Sequence, residues 1–257
     1  MLTIISTLSF IMVGSLFPLF LWIIVSVKID PGFHRFTLGL SSLIGGFGVI
    51  FFWFMDVELR VQLLAIVWLI SLLTVTWFYW GRRNVQVWVV TIPSLLGVIV
   101  YSQMESLLIS PGYLLLVTSI LGGLILCGSI FSVLLGHSYF KMANLSIGLL
   151  MRAVKCLLVF LILRILWDIP YLFMTEVDLA DYVVPAVEFI QSFNGFFLFI
   201  ALFFGTALPL ILCVLTLRTV SIHSARSAMG LLYVLLISVI IGDLFYKYYA
   251  IHFSLFF

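Results

Sequence analysis

Charge is what this sequence has least of. Twelve Lys and Arg and ten Asp and Glu are spread over 257 residues, 9% of the chain. A soluble domain carries about 25% charged residues because its surface faces water, so a soluble globular fold is excluded. Cysteine is scarce too. Cys127, Cys156 and Cys213 each sit inside an apolar run, which leaves no disulfide framework and no Cys-x-x-Cys site and makes them small apolar core residues. Signatures of catalysis are missing: there is no His-Glu-x-x-His, no Gly-x-Ser-x-Gly, no Walker loop and no Rossmann fingerprint. The chain therefore reads as non-catalytic on its own. The net charge of +2 comes from dispersed basic residues, which excludes a nucleic-acid partner.

What is present is apolar: 65% of the residues are hydrophobic, 25 of them Phe, and the mean hydropathy is +1.34. The partner for such a surface is the lipid bilayer. Taking about 20 apolar residues per crossing, the pattern predicts helices at roughly 5–27, 37–55, 61–80, 85–103, 111–136, 154–174, 186–217 and 227–250. The breaks fall at Asp30-Pro31-Gly32, Asp56 to Arg60, Gly81-Arg82-Arg83-Asn84, Pro111-Gly112, His137 to Asn144 and Arg218 to Arg226, all turn or interface chemistry. The seventh stretch exceeds one perpendicular span, so it tilts or starts with an interfacial turn near Pro185, with a kink at Pro209. The longest loop, roughly 175–185, is expected to hold only a short interfacial helix. The fold class is an all-α, polytopic integral membrane helix bundle: a single transmembrane domain, 1–257, of about eight helices.

Orientation follows from the loops. The first, third, fifth and seventh hold Lys28, Arg35, Arg82, Arg83, Lys141, Arg218 and Arg226. The second, fourth and sixth hold Arg60 together with Asp56, Glu58, Glu105, Glu176, Asp178 and Asp181. The positive-inside rule then puts both termini on the non-cytoplasmic side. Trp77 to Trp80, just before Arg82, fits the inner aromatic belt, and Trp53 fits the outer one.

Small residues cluster on the second helix (Gly39, Ser42, Gly45, Gly46, Gly48) and on the fifth (Ser119, Gly123, Cys127; Gly128, Ser132, Gly136). Such rows let helix backbones approach closely within a bundle.

Ionisable residues at membrane depth are costly, which makes each a functional suspect. Arg164 and Asp168 are four apart on the sixth helix, and Asp243 and Lys247 repeat that spacing on the eighth, so each pair shares a face. Glu188, Gln191 and Asn194 lie near the outer end of the seventh. Together these form a candidate pocket, open to the outside, for protons, an ion or a quinone-like headgroup, the alternative being two satisfied intrahelical ion pairs plus ordinary interfacial polarity. The first four helices, almost free of such charge, read as scaffold. A second group, His34, His137 and His223, lies at the cytoplasmic edge with Arg152 and Lys155. Two histidines from different helices can ligate a haem b iron, and His137 ends the best-packed helix. His252 lies on the opposite side, so ligands for a second haem are missing.

Gly136-His137-Ser138-Tyr139-Phe140, followed by a basic helix start at Arg152, resembles a Gly-His-Trp-Tyr-Leu segment of uncharacterised bacterial multi-span membrane proteins. Ser224-Ala225-Arg226-Ser227-Ala228-Met229-Gly230-Leu231-Leu232-Tyr233, running to Gly242-Asp243, resembles their Ser-Ala-Thr-Gly-Ile-Leu-Tyr segment. Ser138 stands where those proteins have tryptophan. The resemblance implies a bacterial membrane and an eight-helix plan, with His137 and Asp243 the positions of interest, and carries no activity. The expectation is a multi-pass inner-membrane subunit of a larger complex, a respiratory one being the candidate, alongside other membrane subunits, in a structural or cofactor-holding role. The alternative is a transporter for a small solute or ion that uses the polar cluster of the last three helices.

Overall fold

The structure is a computed structural model that describes residues 1–25, 31–55, 57–82, 84–109, 112–141, 147–179, 182–222 and 224–257. His223 of the histidine group lies outside these, as do Lys28, Asp56, Arg83 and Asp181 of the orientation argument. The chain is an all-α polytopic helix bundle, with one two-stranded hairpin among the described residues. By length and apolarity, seven stretches suffice to cross a membrane: Leu2–Ile24, Pro31–Trp53, Leu59–Trp80, Val87–Leu108, Tyr113–Tyr139, Phe193–Ser221 and Arg226–Phe253. One further long helix, Ile147–Met174, is 28 residues and carries Arg152, Lys155, Arg164 and Asp168. The helices gather into two compact units, Met1–Pro111 and Gly112–Phe257.

The first unit holds α1 (Leu2–Leu16, continuing as a 3₁₀ stretch over Phe17–Ile24), α2 (Pro31–Trp53), α3 (Leu59–Trp80) and α4 (Val87–Leu108). Its centre is Trp68, fully buried, whose indole N–H donates to the Pro93 carbonyl at 3.0 Å. Glycines let the other helices close on that ring. A Cβ on Gly45 would stand 2.9 Å from it, and a Cβ on Gly14 would stand 2.7 Å from the Gly45 Cα. Gly48 similarly receives Ile11, whereas a Cβ on Gly46 would meet nothing, so only part of the small-residue cluster on α2 forms contacts. Ser41 donates to the Gly14 carbonyl at 2.6 Å and Ser42 pairs with Thr76 at 2.8 Å. Glu105, expected in a loop, is instead buried in the last turn of α4, where the Tyr101 hydroxyl one turn back donates to it at 3.0 Å.

The second unit holds α5 (Tyr113–Lys141), α6 (Ile147–Met174), β1 (Glu176–Leu179), β2 (Tyr182–Pro185), α7 (Ala186–Phe189), α8 (Phe193–Leu202), α9 (Leu208–Ser221) and α10 (Ala225–Phe253). The loop expected to hold an interfacial helix is an antiparallel hairpin, with Val177 opposite Val184. The physical reason is alternation: Glu176 and Asp178 are exposed while Val177 between them is buried, the period-two pattern of a strand with one face on a core. Val177 joins Phe189, Leu198, Tyr246, Tyr249, Leu255 and Phe257 in an apolar cluster.

The long seventh stretch does begin with a separate turn after Pro185, α7, and restarts at Ser192, whose hydroxyl accepts the Gly195 N–H at 3.0 Å. Between α8 and α9 the helix widens to a π turn over Phe203–Ala207, in which the Leu208 N–H bonds the Phe203 carbonyl. Pro209 explains it: proline has no N–H to return to the preceding turn, and its ring crowds the carbonyl four residues back. The distortion foreseen at Pro209 is thus a π turn placed just before it.

Candidate functional site

The i,i+4 spacing on α6 puts Arg164 and Asp168 on one face, turned into the second unit, where they are 2% and 3% exposed. Arg164 Nε lies 3.2 Å from Asp168 Oδ1, without hydrogen-bond geometry. Arg164 Nη1 donates to the Thr118 carbonyl of α5 at 2.9 Å, and its guanidinium sits 4.3 Å from the Tyr246 ring centroid. Pairing with both a carboxylate and an aromatic face keeps a guanidinium tolerable away from water.

The other oxygen of Asp168 is held from two helices. Thr206 Oγ1, in the π turn, donates to Asp168 Oδ2 at 2.8 Å, and Tyr246 Oη, on α10, donates to the same oxygen at 3.1 Å. The two hydroxyls are themselves 2.6 Å apart. The π turn is what brings Thr206 there. It also lets backbones touch, because a Cβ on Gly205 would overlap the Tyr246 ring and one on Gly242 would overlap Gly205. Ser238 of α10 fixes the turn further by donating to the Phe204 carbonyl at 2.6 Å.

On α10, Asp243 and Lys247 form the second ion pair, both side chains about nine-tenths buried. Gly122 of α5 faces both pairs: a Cβ there would lie 3.5 Å from Arg164 Nη1 and 3.8 Å from Asp243 Oδ1. Beside it is a void of about 10 Å³ lined by Gly122, Ile125, Arg164, Gly205, Val239, Asp243 and Tyr246. A larger cavity of about 210 Å³ reaches Asp168 and Thr206 between α6 and the π turn, its other walls being Ile165, Ile169, Leu172, Leu202 and Ala207.

Four of the five expected residues, Arg164, Asp168, Asp243 and Lys247, therefore converge in one interior region. Glu188 does not join them. It is exposed on α7 and makes no hydrogen bond or ion pair with them among the described residues. Gln191 and Asn194 are also exposed, although the Asn194 carbonyl accepts the Tyr249 hydroxyl. His34, in the first unit, has Nε2 3.2 Å from the Arg82 carbonyl, and His137, in the second, is exposed. Among the described residues no group of three His, Cys, Asp or Glu is arranged to hold a metal ion. Sequence reasoning missed Thr206, Tyr246, Gly122, Gly205 and Gly242. One signal was available for Thr206, a hydroxyl one turn before a proline in an apolar helix.

Compared with protein-family models, curated proteins and solved structures, the chain matches none.

Proposed function

We propose that this chain is a proton-driven transport protein of a bacterial inner membrane, with Asp168 as its proton-binding group. The observation that carries the reading is the triangle of Asp168 Oδ2, Thr206 Oγ1 and Tyr246 Oη, with sides of 2.8, 3.1 and 2.6 Å. Each hydroxyl has one hydrogen to donate. When Asp168 is ionised, two hydrogens serve three contacts. When it carries a proton on Oδ2, three hydrogens close the ring. The same three side chains thus accommodate both protonation states without moving apart, which is what a site that loads and releases a proton needs. Arg164 Nε lies 3.2 Å from the other carboxylate oxygen, so a guanidinium stands beside the site in both states.

In this reading α6 crosses the membrane like its seven companions, for eight crossings and both termini outside. The paired charges on α6 are turned inward, where an ion pair is tolerated in a span. The likeness of the Gly136–Phe140 and Ser224–Tyr233 segments to bacterial multi-span proteins supports the choice of membrane.

The test is a pH jump applied to proteoliposomes on a capacitive sensor, which reads proton entry as a transient current whatever the transported solute. The wild-type chain is expected to give a current that Asp168→Asn abolishes. Wild-type traces equal to those of protein-free liposomes would refute the proposal.

A further inference from the structure

The two ion pairs face each other across Gly122, and the chemistry of that gap goes beyond the proton site itself. We propose that a single water bound beside Gly122 links the Arg164–Tyr246 side of the cluster to Asp243, making Asp243 the second station of a proton relay that starts at Asp168. The inference rests on the proton-binding reading above and names the route by which the proton leaves.

Three observations converge on it. The void bounded by Gly122, Arg164, Gly205, Asp243 and Tyr246 measures about 10 Å³, at the lower limit of the space one water requires. The residues that line it include Arg164, Tyr246 and Asp243, whose side chains carry a guanidinium, a phenol and a carboxylate, and a buried water needs two to four polar partners. Finally, Gly122 borders the space without a side chain. A Cβ would stand in ordinary contact with Arg164 Nη1 at 3.5 Å and Asp243 Oδ1 at 3.8 Å, so a methyl fits but takes the place of the water. In transfer the ring opens at Tyr246, which turns its hydrogen toward the water; its oxygen takes the Asp168 proton as it gives its own to the water, and the water passes one of its protons to Asp243. No bond other than O–H forms or breaks, and every oxygen between the two carboxylates ends with as many hydrogens as it began with. Lys247 is paired with the receiving carboxylate of Asp243 one turn away.

The steric fit supplies the test. Gly122→Ala removes the water without unfolding the helix contact, whereas Gly122→Ser puts a hydroxyl between the same two partners. Proton-entry current after a pH jump is expected to fall about tenfold or more in Gly122→Ala, the equivalent of one lost relay hydrogen bond, and to recover in Gly122→Ser. Infrared difference spectra, which need no transport, are expected to show a buried-water O–H band that Gly122→Ala lacks, and a protonated-carboxyl band that Asp243→Asn removes. Ala and Ser variants with equal currents, or an unchanged water band in Gly122→Ala, would overturn the relay. Absence of any current from the wild type with both bands present would overturn only the transport reading, so the two fail separately.

Discussion

Thr206 and Tyr246, forty residues apart in sequence, share one carboxylate oxygen of Asp168 and place their own hydroxyl oxygens 2.6 Å from each other. Each contact backs up the other. With Thr206→Val, Tyr246 still donates to Asp168; with Tyr246→Phe, Thr206 still does. Only the double variant leaves the buried carboxylate with Arg164 alone. Thermal unfolding in detergent is therefore expected to be non-additive, with a coupling of about 0.5–3 kcal/mol between the two positions. Strictly additive losses would mean that the hydroxyls serve Asp168 independently.

Arg164 and Asp168 make a second, opposite test of additivity. Breaking a buried pair by removing one partner strands a charge and costs about 3–5 kcal/mol, whereas replacing both members is often close to neutral. Arg164→Gln is expected to lower the melting temperature sharply, and Arg164→Gln with Asp168→Asn is expected to regain most of the loss while staying inactive in proton entry. A double variant as unstable as the single would show that Arg164 holds the fold through Thr118 and the Tyr246 ring rather than through the ion pair.

Two glycines of the second unit, Gly205 in the π turn and Gly230 on α10, separate packing from propensity. A Cβ on Gly205 overlaps the Tyr246 ring, while one on Gly230 meets nothing within 4 Å. Overpacking typically costs about 1–3 kcal/mol, so Gly205→Ala is expected to reduce the melting temperature and disturb the Thr206 hydroxyl along with it. Gly230→Ala should be neutral or stabilising by up to about 1 kcal/mol, the helical preference of alanine over glycine. Size-exclusion profiles and melting curves of the two variants distinguish the cases.

How much of this was legible depends on whether a feature is local. Helix breaks at Gly81-Arg82 and after Leu108 follow from local chemistry, and they appear within a few residues of where turn residues put them. The pairs Arg164–Asp168 and Asp243–Lys247 are likewise local, because helical spacing alone brings i and i+4 together. Thr206 and Tyr246 were not legible. Their meeting depends on the rotation of α9 against α10, which the π turn ahead of Pro209 changes and which no single-helix periodicity encodes. The hairpin was missed for a different reason: three alternating residues, Glu176 to Asp178, are too short a run to outweigh the expectation of a helical interface. Glu105 shows the limit of counting spans, since α4 runs a turn past the apolar stretch once Tyr101 satisfies the acid.

The crossing of α6 is the step on which the placement of the whole site depends, and it is testable at two exposed positions. His137 stands near the end of α5 and Asp178 on the hairpin after α6, both open to solvent. In a background lacking Cys127, Cys156 and Cys213, all of them free thiols, single cysteines at these positions report which side each faces. If α6 spans, His137→Cys reacts with an impermeant maleimide only after the inner face is opened, and Asp178→Cys reacts in intact spheroplasts. A helix carrying an arginine and an aspartate at mid-depth costs about 2.5–3.5 kcal/mol per charge to insert on biological scales. That cost predicts a further outcome. Arg164→Leu with Asp168→Leu should leave both labelling patterns unchanged, because removing the charges makes insertion easier. The same side for both cysteines would leave α6 lying along one face, with Asp168 reachable from water and no barrier for a proton to cross.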